Sequence, residues 1–153
     1  SKRIIPLRNL YKGYKQLEKS ADEHIEGFEF ELPSATGYFN FEKVSKRTCL
    51  DIASVNTAMQ LVVEDDVITS ASLSAGGVGP IPMFLKEAGN FLVGKNISED
   101  LVDALLQIVQ SEITPISDAR GTENYKRLLL SQLIKAHFIS FFPGIDIKRL
   151  LTA

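Results

Sequence analysis

Three cations stand close together beside two aromatic residues. Lys43, Lys46 and Arg47 follow Phe39 and Phe41 within nine positions. A lysine ammonium or an arginine guanidinium can bind an anion, or lie against an electron-rich ring or carbonyl of a cofactor. The charged, solvated end of a strand would show the same pattern. The residues alone therefore leave open both a functional contact and an ordinary charged surface.

A second polar group, Asp118, Arg120 and Thr122, lies between two predicted helices. Arg120 could bind a carboxylate through two parallel hydrogen bonds. The interpretation we favour is a capping and ion-pair network that fixes the junction between the helices.

The glycine run 76–80, GGVGP, suggests phosphate binding at first sight. A phosphate loop usually needs a lysine and a serine or threonine at the following helix start, and neither follows here. The dinucleotide fingerprint fails as well, because Pro82 stands where its third glycine should be. We therefore interpret the run as a tight turn from a strand to a helix, with close backbone packing.

The remaining chemistry-bearing residues have structural explanations. Cys49 has no histidine near it in sequence, so we expect a buried, inert thiol. His137 sits near the apolar stripe of the last helix, and we expect a core or boundary histidine with satisfied ring nitrogens. The acidic pairs 65–66 and 99–100 fit a hairpin turn and a helix start. No self-contained catalytic constellation emerges.

The composition is that of an ordinary globular domain. The 153 residues are 44% hydrophobic and 24% charged, with a formal net charge of −2. This balance argues against a strongly basic nucleic-acid surface. A single cysteine excludes a disulfide framework, and no apolar run is long enough to cross a bilayer. We expect a cytoplasmic chain without nucleic-acid or membrane partners. It lacks an initiator methionine, so we also expect that it was trimmed, processed or excised from something larger.

Alternating apolar residues predict four strands, at 25–32, 38–47, 54–63 and 67–75. The last two flank a short acidic turn and read as an antiparallel hairpin. Residues 1–20 read as a connector with a turn or two of helix near 7–14.

The period becomes helical after the glycine run. One helix is predicted from Pro82 to Gly94, one is capped by Ser98, and one is capped by Thr122. Strands followed by helices indicate the α+β class, a small antiparallel β-sheet covered on one face by about three α-helices. We divide the chain into a lead-in connector (1–24), an α+β domain (25–142) and a C-terminal tail (143–153). The apolar stripe of the last helix is taken as Tyr125, Leu128, Leu129, Leu133 and Ala136.

Several segments together resemble one family. Residues 41–56, FEKVSKRTCLDIASVN, are similar to the F-x-K-x-x-x-R-x-x-x-D-I-A-x-V-N segment of flavin subunits in the xanthine dehydrogenase family. These are the FAD-carrying parts of molybdenum hydroxylases, among them carbon monoxide dehydrogenase flavoproteins. Residues 76–82 resemble the family's G-G-V-A-P-T-P, and residues 118–127 its D-x-R-G-S-A-x-Y-R. Residues 6–14 and 23–33 resemble two upstream motifs.

The resemblance implies that the chain is the C-terminal subdomain of an FAD-binding subunit, with its lead-in. In the family, this subdomain is a small antiparallel sheet covered by three helices. N-terminal FAD-binding subdomains hold most of the cofactor, and their glycine-rich loops are not in this sequence. Molybdopterin and 2Fe-2S clusters would sit only on partner subunits, from which electrons reach FAD and then NAD or another acceptor.

One site residue follows from the resemblance. The lysine of the F-x-K motif reaches the flavin isoalloxazine in the family, and by position that residue is Lys43. A positive charge near the N1–C2 carbonyl end of a flavin stabilises its reduced, anionic form. On this interpretation the chain alone is catalytically inert and binds free FAD weakly or not at all.

Two other classes of function remain open from the sequence. The chain could be a non-enzymatic α+β interaction scaffold that docks a partner protein. It could also be a small anion-binding protein that uses Lys43, Lys46 and Arg47.

Overall fold

The structure is a computed structural model and describes residues 1–33 and 37–152. The lead-in holds a short helix, α1 (Leu7–Leu10), followed by two strands, β1 (Tyr11–Gly13) and β2 (Gln16–Leu17). These strands pair antiparallel as a small hairpin. The helix predicted near 7–14 is therefore a single turn, and its second half is extended.

The main sheet has four antiparallel strands in the order β3-β4-β5-β6. They are β3 (Gly37–Val44), β4 (Val55–Glu64), β5 (Val67–Gly76) and β6 (Met83–Phe84). Asp65 and Asp66 join β4 to β5 and have φ angles of 49° and 63°. Two consecutive residues with positive φ match the right-handed twist of a hairpin, which explains the acidic turn.

Four further helices follow: α2 (Lys86–Leu92), α3 (Glu99–Glu112), α4 (Glu123–Phe141) and α5 (Ile147–Thr152). Both predicted caps are confirmed. The Ser98 hydroxyl accepts a hydrogen bond from the Leu101 amide at 3.1 Å, and the Thr122 hydroxyl accepts one from the Tyr125 amide at 3.2 Å. Each cap satisfies an amide that the first helical turn leaves unpaired.

Helices cover one face of the sheet. α4 packs on β3 and β4, and α2 packs on β5. The covered face buries Val55, Met59 and Leu61 of β4 completely. On the opposite face, which we call the open face, Ser70 and Ser72 are exposed. The predicted α+β class is confirmed.

One predicted strand is absent. Residues 25–32 form no strand, and their apolar side chains face solvent, with Phe28 73% and Phe30 78% exposed. A strand needs a neighbour to accept and donate its backbone hydrogen bonds. The described residues supply no such neighbour to this segment, so its alternation of apolar and acidic residues has nothing to pack against here.

The register of β5 also differs from the prediction. Strict alternation along 67–75 would put Ile68 on the same face as Ser70, Ser72 and Ser74, yet Ile68 is fully buried. The pairing of β4 with β5 shifts at Val62 and Val63, so Thr69 has no partner of its own. A bulge of this kind reverses the alternation, and Ile68 turns into the core.

Two helix predictions need correction. Residues Met83 and Phe84 pair with β5 as a short strand, so α2 begins only at Lys86. In α4 the predicted stripe is rotated, because Tyr125 and Leu128 are exposed. The buried side of α4 carries Lys126, Leu130, Leu133, Ile134, Lys135, His137, Phe138 and Phe141.

The segment 143–152 is folded. Its helix α5 packs against α3, and Leu150 is fully buried. The buried ammonium of Lys135 donates to the Leu150 carbonyl, and Arg149 pairs with Asp100. The domain boundaries at 24/25 and 142/143 stay predictions. Among the described residues, the helices are all too short or too polar to span a membrane.

Candidate functional site

Lys43 lies near the end of β3, on the open face of the sheet. It pairs with Asn56 of β4, which pairs in turn with Gly76 of β5. The side chain is exposed, and its Nζ donates a hydrogen bond to the Asp51 carbonyl oxygen at 2.7 Å. Within residues 1–33 and 37–152, the Lys43 ammonium has this one hydrogen-bond acceptor. The predicted cofactor contact is therefore on a face that helices leave uncovered.

The Asp51 carboxylate organises the loop that follows β3, residues 45–53. It accepts hydrogen bonds from the backbone amides of Arg47 at 3.1 Å and Ile52 at 2.9 Å. It also accepts one from the Arg120 guanidinium at 2.8 Å. The carboxylate is nearly covered, with 6% of the side chain exposed. Chiefly because Arg120 donates to it, the pKa of Asp51 lies below the ordinary aspartate range.

Further contacts join this loop to the α3–α4 junction. The Lys46 ammonium donates to the Ala119 carbonyl at 2.7 Å, and the buried Ser54 hydroxyl donates to the Arg120 carbonyl at 2.9 Å. Within the junction, the buried Lys126 pairs with Asp118 at 2.6 Å. The capping and ion-pair network favoured from the sequence is present, and it extends beyond the helices to the loop of residues 45–53.

The glycine run packs against the start of β4. Gly77 has φ +83°, and a Cβ added there would lie 2.3 Å from the Ser54 carbonyl oxygen. Only a residue without a side chain fits so close to another backbone in that conformation. The predicted tight turn with close backbone packing is confirmed, although it leads first into β6 and only then into α2.

Aromatic side chains share the open face with Lys43. Phe39 is 59% and Phe41 is 53% exposed, and both precede Lys43 on the same side of β3. Phe84 of β6 is also exposed and lies opposite Ser74. Exposed aromatic side chains on one face of a sheet mark a surface that another protein segment or a ligand can cover.

Cys49 and Leu50 protrude from the loop. The expectation of a buried thiol at Cys49 is wrong, because the residue is exposed. Leu50 is 92% exposed and adopts φ +51°. The loop turns its backbone and polar groups inward to Asp51, which leaves these two side chains outside.

His137 is buried as expected, but its ring nitrogens are not satisfied. It is fully buried in α4, and neither Nδ1 nor Nε2 has a hydrogen-bond partner in the described part of the chain. Burial lowers the pKa of His137 to about 4, and the nearby Glu42 carboxylate offsets this only in part. The histidine is therefore neutral near pH 7 and adds no charge to the site.

The arrangement can offer a positive charge to a planar or anionic group approaching the open face. No group of three or more histidine, cysteine, aspartate or glutamate side chains within residues 1–33 and 37–152 could hold a metal ion. Reasoning from residue types alone missed Asp51. The signal that could have found it is its place four residues after Arg47, in the D-I-A motif.

Comparisons with known proteins identify the family. The model of the CO dehydrogenase flavoprotein C-terminal domain matches residues 40–140. The chain therefore belongs to this family. That match covers Lys43, the loop of residues 45–53 and the α3–α4 junction.

Individual relatives agree with this assignment. The chain is 30% identical over 139 residues to xanthine dehydrogenase 1 of Arabidopsis thaliana, covering 87% of this chain and 10% of that protein. It is 27% identical to the nicotinate dehydrogenase FAD-subunit of Eubacterium barkeri, covering 88% of this chain and 46% of the relative. The chain thus spans about half the length of that FAD-subunit.

The fold matches solved structures as well. Reconstituted CO dehydrogenase from Oligotropha carboxidovorans superposes with a TM-score of 0.74 at 22% identity, covering 86% of this chain and 46% of that one. Quinoline 2-oxidoreductase from Pseudomonas putida 86 gives a TM-score of 0.68 at 19% identity. At these identities the comparison establishes the shared fold.

Proposed function

We propose that this chain is the C-terminal part of the FAD-binding subunit of a molybdenum hydroxylase-like oxidoreductase, in which Lys43 contacts the flavin isoalloxazine. The observation that carries the proposal is the exposed Lys43 ammonium on the helix-free face of the sheet. Had Lys43 pointed toward α4, no cofactor held by another part of the enzyme could reach it. The residues present therefore fit a flavin approaching from the open face.

When bound, FAD would accept electrons from iron–sulfur clusters and pass them to NAD or another acceptor. The role of Lys43 in that process is electrostatic. A fixed ammonium favours any state of the ring that carries additional negative charge, and it does so most strongly where water is excluded. The E. barkeri relative is an FAD-subunit, and one CO dehydrogenase with this fold is a Cu,Mo enzyme.

The exposed apolar surfaces support a partner that covers them. Phe39 and Phe41 on the open face, and Phe28 and Phe30 in the extended segment, would all leave water on contact. We assign this covering role to the N-terminal FAD-binding subdomains, since the E. barkeri FAD-subunit is about twice as long as the matched region. Molybdenum-binding and iron–sulfur subunits would complete a cytoplasmic enzyme.

Replacing Lys43 tests the flavin contact. In the flavin-loaded enzyme that carries this chain, Lys43→Ala should lower the flavin midpoint potential and slow flavin reduction by substrate, because a stabilising positive charge is removed. Spectroelectrochemical titration and stopped-flow absorbance measure the two effects.

Lys86→Ala is the matched control, since Lys86 is exposed at the start of α2, outside the site. It should leave both quantities unchanged. If Lys43→Ala behaves like Lys86→Ala, the assignment of Lys43 to the flavin is wrong.

A further inference from the structure

We propose that Asp51 is a positioning residue for the Lys43 ammonium, acting through its backbone carbonyl and held in place by its own carboxylate. This inference rests on the proposed contact between Lys43 and a flavin. Asp51 is not one of the three cations Lys43, Lys46 and Arg47. If it positions Lys43, the place of the positive charge depends on the conformation of the loop of residues 45–53.

The first step is the hydrogen bond to Lys43. A lysine side chain on a surface has four rotatable bonds and samples many rotamers, which spreads its charge over a wide volume. The 2.7 Å contact with the Asp51 carbonyl ties Nζ to one point beside the sheet edge. An ammonium has three N–H donors, so the remaining two can still face a ligand.

The second step is the anchoring of that carbonyl. The Asp51 carboxylate accepts from the amides of Arg47 and Ile52. The Ile52 amide belongs to the same peptide group as the Asp51 carbonyl, so fixing this amide also orients the carbonyl. The guanidinium of Arg120 closes the arrangement from the α3–α4 junction at 2.8 Å. The position of Lys43 thus depends on a residue from a distant part of the chain.

The third step distinguishes positioning from simple charge. Asp51 is an acidic side chain among the cations Lys43, Arg47 and Arg120. If it acted only through its negative charge, Asp51→Asn would make the site more positive and raise the flavin potential. If Asp51 positions Lys43, the same substitution releases the ammonium and lowers the potential. The two roles predict opposite signs.

The experiment measures the flavin midpoint potential and loop hydrogen exchange in the flavin-loaded enzyme. Asp51→Asn should lower the potential in the same direction as Lys43→Ala, and the double variant should add little to Lys43→Ala alone. Amide exchange at Arg47 and Ile52 should accelerate by roughly tenfold or more, because both amides lose their charged acceptor.

Asp66→Asn is the control, because Asp66 lies in the β4–β5 turn at the opposite end of β4 and asparagine tolerates its positive φ. It should leave potential and exchange at the loop unchanged. Arg120→Lys is a second variant in case Asp51→Asn does not fold. Lysine keeps the positive charge but lacks the planar guanidinium that donates to the Asp51 carboxylate and the Ile52 carbonyl. Arg120→Lys should therefore lower the flavin midpoint potential as Asp51→Asn does, by a smaller amount.

The outcomes separate the two proposals. An unchanged potential in Lys43→Ala overturns the flavin contact, and the positioning role falls with it. A lowered potential in Lys43→Ala combined with an unchanged or raised potential in Asp51→Asn overturns the positioning role alone.

Discussion

His137 is the residue whose burial has the clearest consequence for pH dependence. Its pKa is 6.5 in an unfolded chain and about 4 in the fold, where the ring is buried without a hydrogen-bond partner. Of the two strands packed against α4, β3 places the Glu42 carboxylate near the His137 ring. The buried side chains of β4 carry no titratable group. The unfolded state therefore binds more protons between these two values.

We expect the unfolding free energy to fall as the pH drops from 6.5 toward 4, by up to about 1.4 kcal/mol per pH unit from this one group. Urea unfolding at a series of pH values measures the slope. His137→Leu removes the titrating ring and should flatten the curve in that window. Parallel curves for the two proteins would contradict the assignment.

At the residue scale, the sequence could propose a site residue but could not predict which groups surround it. Lys43 could be singled out because the motif resemblance fixes its position. Asp51 could not, since its importance comes from Arg120, 69 positions away. Cys49 was misplaced for a related reason: whether a loop side chain points in or out depends on which polar groups the loop must satisfy internally.

At the scale of the elements, Gly77 and Gly94 form a matched pair. Both have positive φ, +83° and +80°, but an added Cβ at Gly77 would meet the Ser54 carbonyl oxygen at 2.3 Å, whereas Gly94 has open space around it. Gly94→Ala should cost about 1 kcal/mol from backbone conformation alone.

Gly77→Ala should cost about 3 kcal/mol or more, because the clash adds to the same conformational penalty. Thermal and urea unfolding of the two variants give the comparison. Equal losses would mean that the β5–β6 turn can move away from β4, and that close packing there is not essential.

The elements also show where periodicity is a reliable guide. The β4–β5 hairpin and the two capped helices were predictable because each pattern is satisfied inside the chain. Residues 25–32 carry an equally regular alternation, yet they form no strand, because a strand depends on a neighbour that the sequence pattern does not show. The stripe of α4 was misassigned because apolar residues occur on several of its sides.

At the scale of the whole molecule, α5 closes the helical layer. Leu150 is fully buried and Leu151 is 58% exposed. These two adjacent leucines therefore allow a matched comparison of a buried and an exposed side chain in α5. Leu150→Ala should lower the unfolding free energy by about 2–4 kcal/mol, and Leu151→Ala by less than about 0.5 kcal/mol. Urea denaturation measures both.

Similar small losses for the two leucines would show that α5 is a loosely attached tail. The sequence predicted the fold class because strands precede helices, but it could not place 143–153. α5 contacts Lys135 and Asp100, which lie 15 and 49 positions before their partners Leu150 and Arg149 and carry no local signal of this contact.

The exposure of Cys49 has a practical consequence. The chain contains a single cysteine, and its sulfur projects from the loop that Asp51 organises. A maleimide-linked fluorophore or spin label would therefore attach at one known place without any engineered thiol. Its rotational mobility would report directly on how rigidly that loop is held.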